Sequence, residues 1–264
     1  MGTNGLSSRI QAPNNSRTDR SGMQGQIVST LIKRAKLYSQ DLSARWGAHK
    51  MCYGSFDMIL HECAEKGIVR ILVFAADNGA NVNSQDKLGK TALIKAVKIG
   101  HFPTIKVLLR YGANVNLGSY DGCTALMEAA KSKNETIVRM LLNYGAEVNC
   151  QNSTGWTALH YAALYGNEAV ARKLIEHGAD TKLTNTWGKN ALKVSVGQFG
   201  HRFSEYPEAL VKLLIIHEES QEFLDDAMSE AVRNRWTDIV KMLIDKGANV
   251  HYRLHRGHTL RCWP

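Results

Sequence analysis

One stretch of the sequence has the spacing of a phosphate-binding loop. Residues Ser84 to Thr91 read SQDKLGKT, and the loop that cradles nucleotide phosphates has the pattern G-x-x-x-x-G-K-[ST]. Gly89, Lys90 and Thr91 fit the end of this pattern, but Ser84 stands where its first glycine should be. A repeated pattern in the chain accounts for Gly89 and Thr91 without a nucleotide. We therefore do not predict nucleotide binding.

A second stretch, near the C-terminus, carries residue types that bind metals. His251, His255, His258 and Cys262 follow one another at three- and four-residue spacing, and imidazole and thiolate groups are the usual ligands of zinc. Gly257 interrupts this segment where the repeated pattern predicts a turn. We expect a structural role for the segment and predict no metal and no other cofactor.

The remaining reactive side chains are not arranged for catalysis. No serine or cysteine is paired with an evident base, and no two carboxylates are tied to one cleft. The sequence therefore predicts that the protein is not an enzyme and has no small-molecule substrate.

One short phrase returns five times along the chain. It reads GANVN from Gly79 and from Gly112, GAEVN from Gly145, GADTK from Gly178 and GANVH from Gly247. The first four of these glycines are 33 residues apart. A fixed period of this length indicates structural units that stack on one another.

The segments between these phrases are also alike. They read GKTALIKAVKIG, GCTALMEAAKSK, GWTALHYAALYG and GKNALKVSVGQF, starting at Gly89, Gly122, Gly155 and Gly188. The pattern resembles the ankyrin repeat over about residues 51–264. This resemblance implies an all-α fold, an ankyrin repeat solenoid of helix-turn-helix units joined by β-hairpin loops. It also implies structural roles for His101 and His160, whose rings would bond to nearby backbone or hydroxyl groups.

The recurring residues suit this fold. The glycine of each phrase follows a helix end, where a left-handed cap favours a residue without Cβ. Gly89 and its equivalents are suited to a tight turn with positive φ. Thr91, Thr124 and Thr157 precede helical periodicity and are good N-caps, and Asn190 can take the same role.

The repeat frame predicts the organisation of the chain. Residues 1–23 are rich in polar residues and are expected to be disordered, and residues 24–50 form an amphipathic helix that caps the stack. A membrane-surface helix or a nuclear signal at Lys33 to Lys36 remain alternatives for this helix. Six repeats follow, at 51–83, 84–116, 117–149, 150–182, 183–220 and 221–250, and residues 251–264 read as the start of a truncated further repeat.

The interval between Gly178 and Gly247 is 69 residues, three more than two periods. We assign the difference to a longer loop between helices around Phe199 to Pro207 and to a shortened connection near His217 to Gln221. His217 stands where the other repeats have glycine, so this repeat is expected to end differently.

Composition indicates the cellular compartment of the protein and the charge of its partners. Apolar runs are too short for a membrane helix, no signal peptide is visible, and the five cysteines include no C-x-x-C pair. These features predict reduced thiols and a cytoplasmic or nuclear location. The net charge of +9 favours acidic partners.

The ankyrin resemblance also predicts where a partner binds. Ankyrin proteins usually meet their partners at the hairpin tips and the inner first helices. Carried over by position, the partner-binding residues are Lys87, Leu88, Lys90, Lys98, Tyr120, Lys131, Trp156, Leu164, Tyr165, Trp187 and Lys189. Trp156, Tyr165 and Trp187 are expected to be exposed, although both tryptophans also have the alternative of packing against neighbouring hairpins.

This surface predicts a scaffold or adaptor that binds an acidic, partly hydrophobic segment of another protein. Two alternatives stay open. The first is binding of nucleic acid or an anionic lipid surface through the lysines, and the second is a ubiquitin-ligase substrate receptor without its C-terminal box. A smaller resemblance, L-x-x-x-x-x-E-V-N at Leu141 to Asn149, makes Asn149 a candidate for hydroxylation.

Overall fold

The fold is a row of helix pairs. The computed structural model describes residues 54–202 and 208–250. Its helices are α1 Gly54–Lys66, α2 Val69–Asp77, α3 Ala92–Ile99, α4 Phe102–Arg110, α5 Ala125–Lys131, α6 Glu135–Asn143, α7 Ala158–Leu164, α8 Glu168–Glu176, α9 Ala191–Arg202, α10 Glu208–His217, α11 Gln221–Arg233 and α12 Thr237–Asp245. The predicted all-α solenoid is confirmed.

The helices form two rows in one compact unit that contains the described residues from Phe56 onward. The first helices of successive pairs, α3, α5, α7, α9 and α11, pack side by side in the inner row. The second helices form the outer row, in which α2 packs on α4, and α6, α8, α10 and α12 pack in succession. Leucine, isoleucine and alanine side chains between the rows are almost fully buried and make the shared core.

The inner helices begin at the predicted caps. The side-chain oxygens of Thr91, Thr124 and Thr157 each accept a hydrogen bond from the backbone N–H three residues later. Asn190 does the same for the N–H of Lys193, at 2.9 Å. Each cap satisfies a backbone donor that the first helical turn leaves free, which is worth about 1 kcal/mol.

The loops between repeats are turns, and their tips are bonded to one another. Each tip closes on itself through two backbone bonds, such as Asp86 N–H to the Lys90 carbonyl at 3.0 Å and Gly89 N–H to the Asp86 carbonyl at 2.8 Å. Among the described residues, pairing of the β type is limited to one isolated bridge between Gln85 and Thr91. The predicted β-hairpins are thus too short to form strands. Successive tips are joined by N–H to carbonyl bonds from Tyr120 to Leu88, Ser153 to Asp121, and Thr186 to Thr154, at 3.2, 2.9 and 3.1 Å.

The fifth pair differs from the prediction. The loop placed at Phe199 to Pro207 begins too early, because α9 continues to Arg202. No proline interrupts this stretch before Pro207, so the helix is free to extend. Residues 203–207 lie outside the described part.

The connection near His217 is short, as predicted. The α10 helix ends at His217, and α11 begins at Gln221. The fully buried Glu218 side chain takes the place of a turn. Its carboxylate accepts bonds from the Asn190 amide at 2.7 Å and from the N–H groups of Glu219 and Ser220 at 3.1 and 3.0 Å. The row of bonded tips therefore stops at the tip that carries Trp187.

Several predictions fall on residues that the structure does not describe. They are the disordered segment 1–23, the capping helix 24–50, and the segment 251–264 with its histidines and its predicted truncated repeat. Within the described residues, no helix combines the length and apolar character needed to cross a membrane.

Candidate partner-binding surface

Three large apolar side chains stand exposed on the bonded tips. They are Leu88, Tyr120 and Trp187, with 64%, 73% and 64% of their surfaces accessible. The tip-to-tip backbone bonds hold these side chains on one edge of the stack. We call these three residues the tip ridge. Large apolar groups held rigidly on a surface are suited to binding another protein, because they lose little conformational entropy when the partner binds.

The predicted lysines differ in how free they are. Lys87 and Lys98 are exposed, whereas Lys90 and Lys189 are half-buried. None of these four forms an ion pair with a carboxylate in the described residues. They leave uncompensated positive charge beside the tip ridge.

Lys131 is already engaged within the molecule. Its ammonium pairs with Glu128 at 3.2 Å and lies 4.3 Å from the centre of the Tyr161 ring. Burial acts to lower the pKa of Lys131, but Cys123, Glu128 and Tyr161 outweigh burial and raise it. The ammonium is therefore held on the surface of α5 and α7, where it is less available to a partner than the exposed lysines.

Trp156 is more buried than the sequence predicted. Its ring centre lies 5.1 Å from that of Tyr161, 5.8 Å from His160 and 6.5 Å from Trp187. Trp156 therefore packs mainly on α7 of its own repeat, and the alternative that the tryptophans pack against neighbouring hairpins holds for it only through the contact with Trp187. Trp187 touches Trp156 edge-on but keeps most of its surface open.

The other members of the predicted surface occupy intermediate positions. Tyr165 is exposed at the end of α7, with 37% of its surface accessible. Leu164, one residue earlier, is half-buried. Cys123, which follows the turn glycine Gly122, is buried. Burial raises the pKa of the Cys123 thiol to about 11, so it is not an activated nucleophile.

Asn149 joins two repeats. Its amide nitrogen donates to the Gly178 carbonyl at 3.0 Å, and its amide oxygen accepts from the Asp180 N–H at 2.8 Å. Asn116 and Asn83 make the same pair of bonds one and two repeats earlier. The bracing role is thus observed, and hydroxylation of Asn149 stays a prediction.

The residues with suggestive chemistry have structural roles where they are described. Gly89 has a φ of 73°, and Thr91 caps α3, so both belong to the turn and helix start. The His160 Nδ1 accepts a hydrogen bond from the Thr157 hydroxyl at 2.8 Å, while its Nε2 donates to the Lys189 carbonyl at 2.9 Å. Within the described ranges, no three His, Cys, Asp or Glu side chains converge as a metal site.

Sequence reasoning missed two buried polar residues. Glu218 is one, and its signal was the absence of a turn glycine near His217. Asn185 is the other: its amide oxygen accepts from the N–H groups of Trp187 and Lys189, both at 3.0 Å. Its amide nitrogen is buried and has no hydrogen-bond partner in the described part of the chain. A buried donor without an acceptor costs free energy.

Comparison with known proteins agrees with the architecture. The family model for ankyrin repeats (3 copies) matches residues 60–152 and 144–203, which together are more than half of the chain. A stretch of 59 residues is 37% identical to part of the E3 ubiquitin-protein ligase XBAT33 of Arabidopsis thaliana. That stretch is 22% of this chain and 12% of the plant protein, so the chain spans a small part of the relative that it matches.

Proposed function

The chain belongs to the ankyrin-repeat family, and from this premise we propose that it is a non-enzymatic adaptor that binds a segment of another protein. The binding surface runs along the tip ridge and the adjoining inner helices. The observation that carries this proposal is the rigid exposure of Leu88, Tyr120 and Trp187 on one edge of the stack. Ankyrin repeats generally act as protein-interaction modules, which supports the same reading.

The charge beside the tip ridge supports an acidic partner segment. Lys87, Lys90, Lys98 and Lys189 lack carboxylate partners in the described residues. An acidic segment that also carries apolar side chains would match both features. A nucleic acid or an anionic membrane would use the lysines but leave the apolar tips without a role, so the protein partner accounts for more of the surface.

The compartment proposed is the cytoplasm or the nucleus. Cys63, Cys123 and Cys150 are free thiols. Cys63 and Cys123 are both buried, and burial raises the pKa of each to about 11. Unpaired cysteines of this kind support a reducing environment.

The test is a quantitative affinity capture with the full chain and two matched variants. The ridge variant carries Leu88→Ser, Tyr120→Ser and Trp187→Ser. The control variant carries Ile216→Ser and Ile244→Ser, which are comparably exposed apolar residues on α10 and α12 of the outer row. Circular dichroism and thermal melting first establish that both variants fold.

The adaptor proposal predicts that the ridge variant loses proteins that the control variant retains. Interface anchors of this type contribute roughly 2 kcal/mol each, or about 30-fold in affinity, so the loss should be nearly complete. The proposal fails if the ridge variant captures the same proteins as the wild type. Capture that is lost equally from both variants also contradicts it.

A second candidate function is recognition of substrates for ubiquitylation. It is favoured by the similarity to part of an E3 ubiquitin-protein ligase, although the matched stretch lies within the repeats. In this case a ubiquitin-ligase component would co-purify with the captured protein, and the ridge variant would raise the lifetime of that protein in cells. An unchanged lifetime would leave the simple adaptor as the better account.

A further inference from the structure

The inner helix of the fifth repeat, α9, carries a glycine beside which few described atoms lie. Gly197 lies inside α9, at the register that Leu164 occupies at the end of α7. It is not among the positive-φ glycines, so the backbone does not require glycine there. Among the residues whose side chains the structure describes, a Cβ at Gly197 would meet the Lys189 ammonium alone, at 3.8 Å. These described side chains therefore leave room for an additional group at this position.

The unpaired amide of Asn185 lies in the tip that precedes α9 in the same repeat. In two of the other tips the equivalent side chain finds a partner on its inner helix: Asn152 donates to the Tyr161 hydroxyl at 3.1 Å. Asp86 pairs with the Lys95 ammonium at 2.9 Å. The residue at this register in α9 is Val194, which offers no polar atom. Asn185 is only 5% exposed, and its amide nitrogen stays unsatisfied.

Charged and apolar groups surround this position. The Lys189 ammonium lies at the rim and has no ion pair with a described carboxylate. The exposed Trp187 ring stands beside it on the tip, two residues along the chain. We call the set Asn185, Trp187, Lys189, Val194 and Gly197 the notch. It combines one cation, one unpaired donor and one aromatic wall around an unfilled space.

We propose that the notch binds a carboxylate side chain of the partner segment, with a neighbouring apolar side chain of that segment against Trp187. This inference rests on the proposed adaptor function and specifies what the partner presents to the fifth repeat. A carboxylate has two acceptor oxygens, so it can take a charge-assisted bond from Lys189 and a second bond from the Asn185 amide. A neutral or basic side chain would leave one or both donors unpaired.

The position of the notch favours an internal side chain over a chain terminus. The inner row continues on both sides of α9, with α7 before it and α11 after it. A polypeptide that lies along the row therefore passes the notch and does not end there. The proposed ligand is an aspartate or glutamate within an extended segment.

Two variants change the notch and are designed to leave the fold intact. Gly197→Leu places at this position the residue found at the same register in α7, and it should fill the space. Leucine is also a better helix former than glycine, so α9 should become no less stable. Lys189→Met removes the charge and keeps the length of the side chain, and Lys241→Met, on the exposed side of α12, is the matched control.

The probe is a random dodecapeptide library displayed between linkers, so that no peptide has a free carboxyl end in the binding region. Selection on the wild-type chain should enrich aspartate or glutamate next to an apolar residue. The best peptide is then made with amidated ends, together with its Glu→Gln or Asp→Asn counterpart. Fluorescence anisotropy gives the dissociation constants for each protein variant.

The proposal predicts a coupled loss of affinity. Neutralising the peptide acid should weaken binding at least about 10-fold on the wild type and on Lys241→Met, but less than about 2-fold on Lys189→Met. Gly197→Leu should lose at least about 10-fold in affinity with a melting temperature equal to or above that of the wild type. The proposal that the notch binds a carboxylate would be overturned if neutralising the peptide acid had the same effect on all variants. Unchanged binding to Gly197→Leu would overturn it as well.

The same selection distinguishes the notch from the adaptor function as a whole. Peptides that bind the wild type and not the ridge variant, yet show no acidic preference, would disprove the notch and leave the adaptor proposal standing. No enrichment on the wild type over the ridge variant would contradict both.

Discussion

At the scale of single residues, the asparagine that ends three of the five phrases ties one repeat to the next. The Asn149 amide bridges Gly178 and Asp180 through two bonds of 3.0 and 2.8 Å. Each such bond contributes about 0.5–1.5 kcal/mol, so Asn149→Ala should lower the free energy of unfolding by about 1–2 kcal/mol. Urea denaturation measures the change. Asn143→Ala, at an exposed position on α6, is the control and should change stability little.

A second residue-scale effect is the dependence of stability on pH. Burial lowers the pKa of His160 below its ordinary value, although the hydrogen bond to the Lys189 carbonyl partly opposes this. His61 is shifted in the same direction, first by burial and then by Lys95. As the pH falls through about 6.5, these histidines bind protons in the unfolded chain, whereas their buried rings in the folded chain stay neutral to lower pH. Folding stability should therefore decrease as the pH is lowered from 7.5 to 5.5.

Glu218 has the opposite effect on the pH dependence of stability. A variant of His160 is therefore needed to isolate the contribution of that residue. Burial raises the pKa of Glu218, so acid favours its folded form. His160→Gln should lower stability at pH 7.5 and show a flatter loss of stability toward pH 5.5 than the wild type. His177→Gln, at an exposed position, is the control. If the stability of His160→Gln falls with pH as steeply as that of the wild type, His160 does not contribute to the pH dependence.

At the scale of elements, the contact between neighbouring tips depends on the absence of a side chain. Gly155 has a φ of 72°, and a Cβ there would lie 2.9 Å from the Cα of Asn185 in the next tip. Gly178 has a similar φ of 84° but nothing within 4 Å of its Cβ position. Gly178→Ala should cost about 1–2 kcal/mol from backbone strain alone. Gly155→Ala should cost roughly 1–3 kcal/mol more, because the tips must also separate.

Urea unfolding of the two alanine variants at the same temperature measures this difference directly. Similar losses of stability would mean that the tips move apart freely. In that case the tip ridge would not be rigid, and its preorganisation for a partner would be lost.

The elements were largely predictable from sequence, and the exceptions have local causes. Threonine caps and turn glycines act through one or two neighbouring residues, so spacing was enough to place Thr157 and Gly155. The end of α9 was not predictable in the same way, since the 33-residue period fails there. Glu218 replaces a turn through a bond to Asn190, 28 residues away, which no local pattern reveals.

At the scale of the whole molecule, the sequence predicted which side chains lie on the tips better than it predicted how exposed each candidate partner-binding residue is. Leu88, Tyr120 and Trp187 stand on the tips as expected. Trp156 and Lys131 are drawn inward because Tyr161 offers both of them an aromatic face. Exposure is set by the side chains that pack around a residue in the fold: Tyr161 lies in the same repeat as Trp156 but in the repeat after Lys131. The notch was missed for the same reason: it is defined by what Val194 and Gly197 do not supply.

The central claim is that a partner protein lies on the tip ridge. The most direct measurement places a photo-crosslinking phenylalanine at Tyr120 in one protein and at Ile244 in another; both positions are exposed, the first on the tip ridge and the second on α12 of the outer row. After irradiation in cells, covalent adducts are identified by mass spectrometry. The account predicts a discrete protein joined to the Tyr120 position and absent from the Ile244 position. Adducts at Ile244 alone, or none at Tyr120 beyond background, would contradict it.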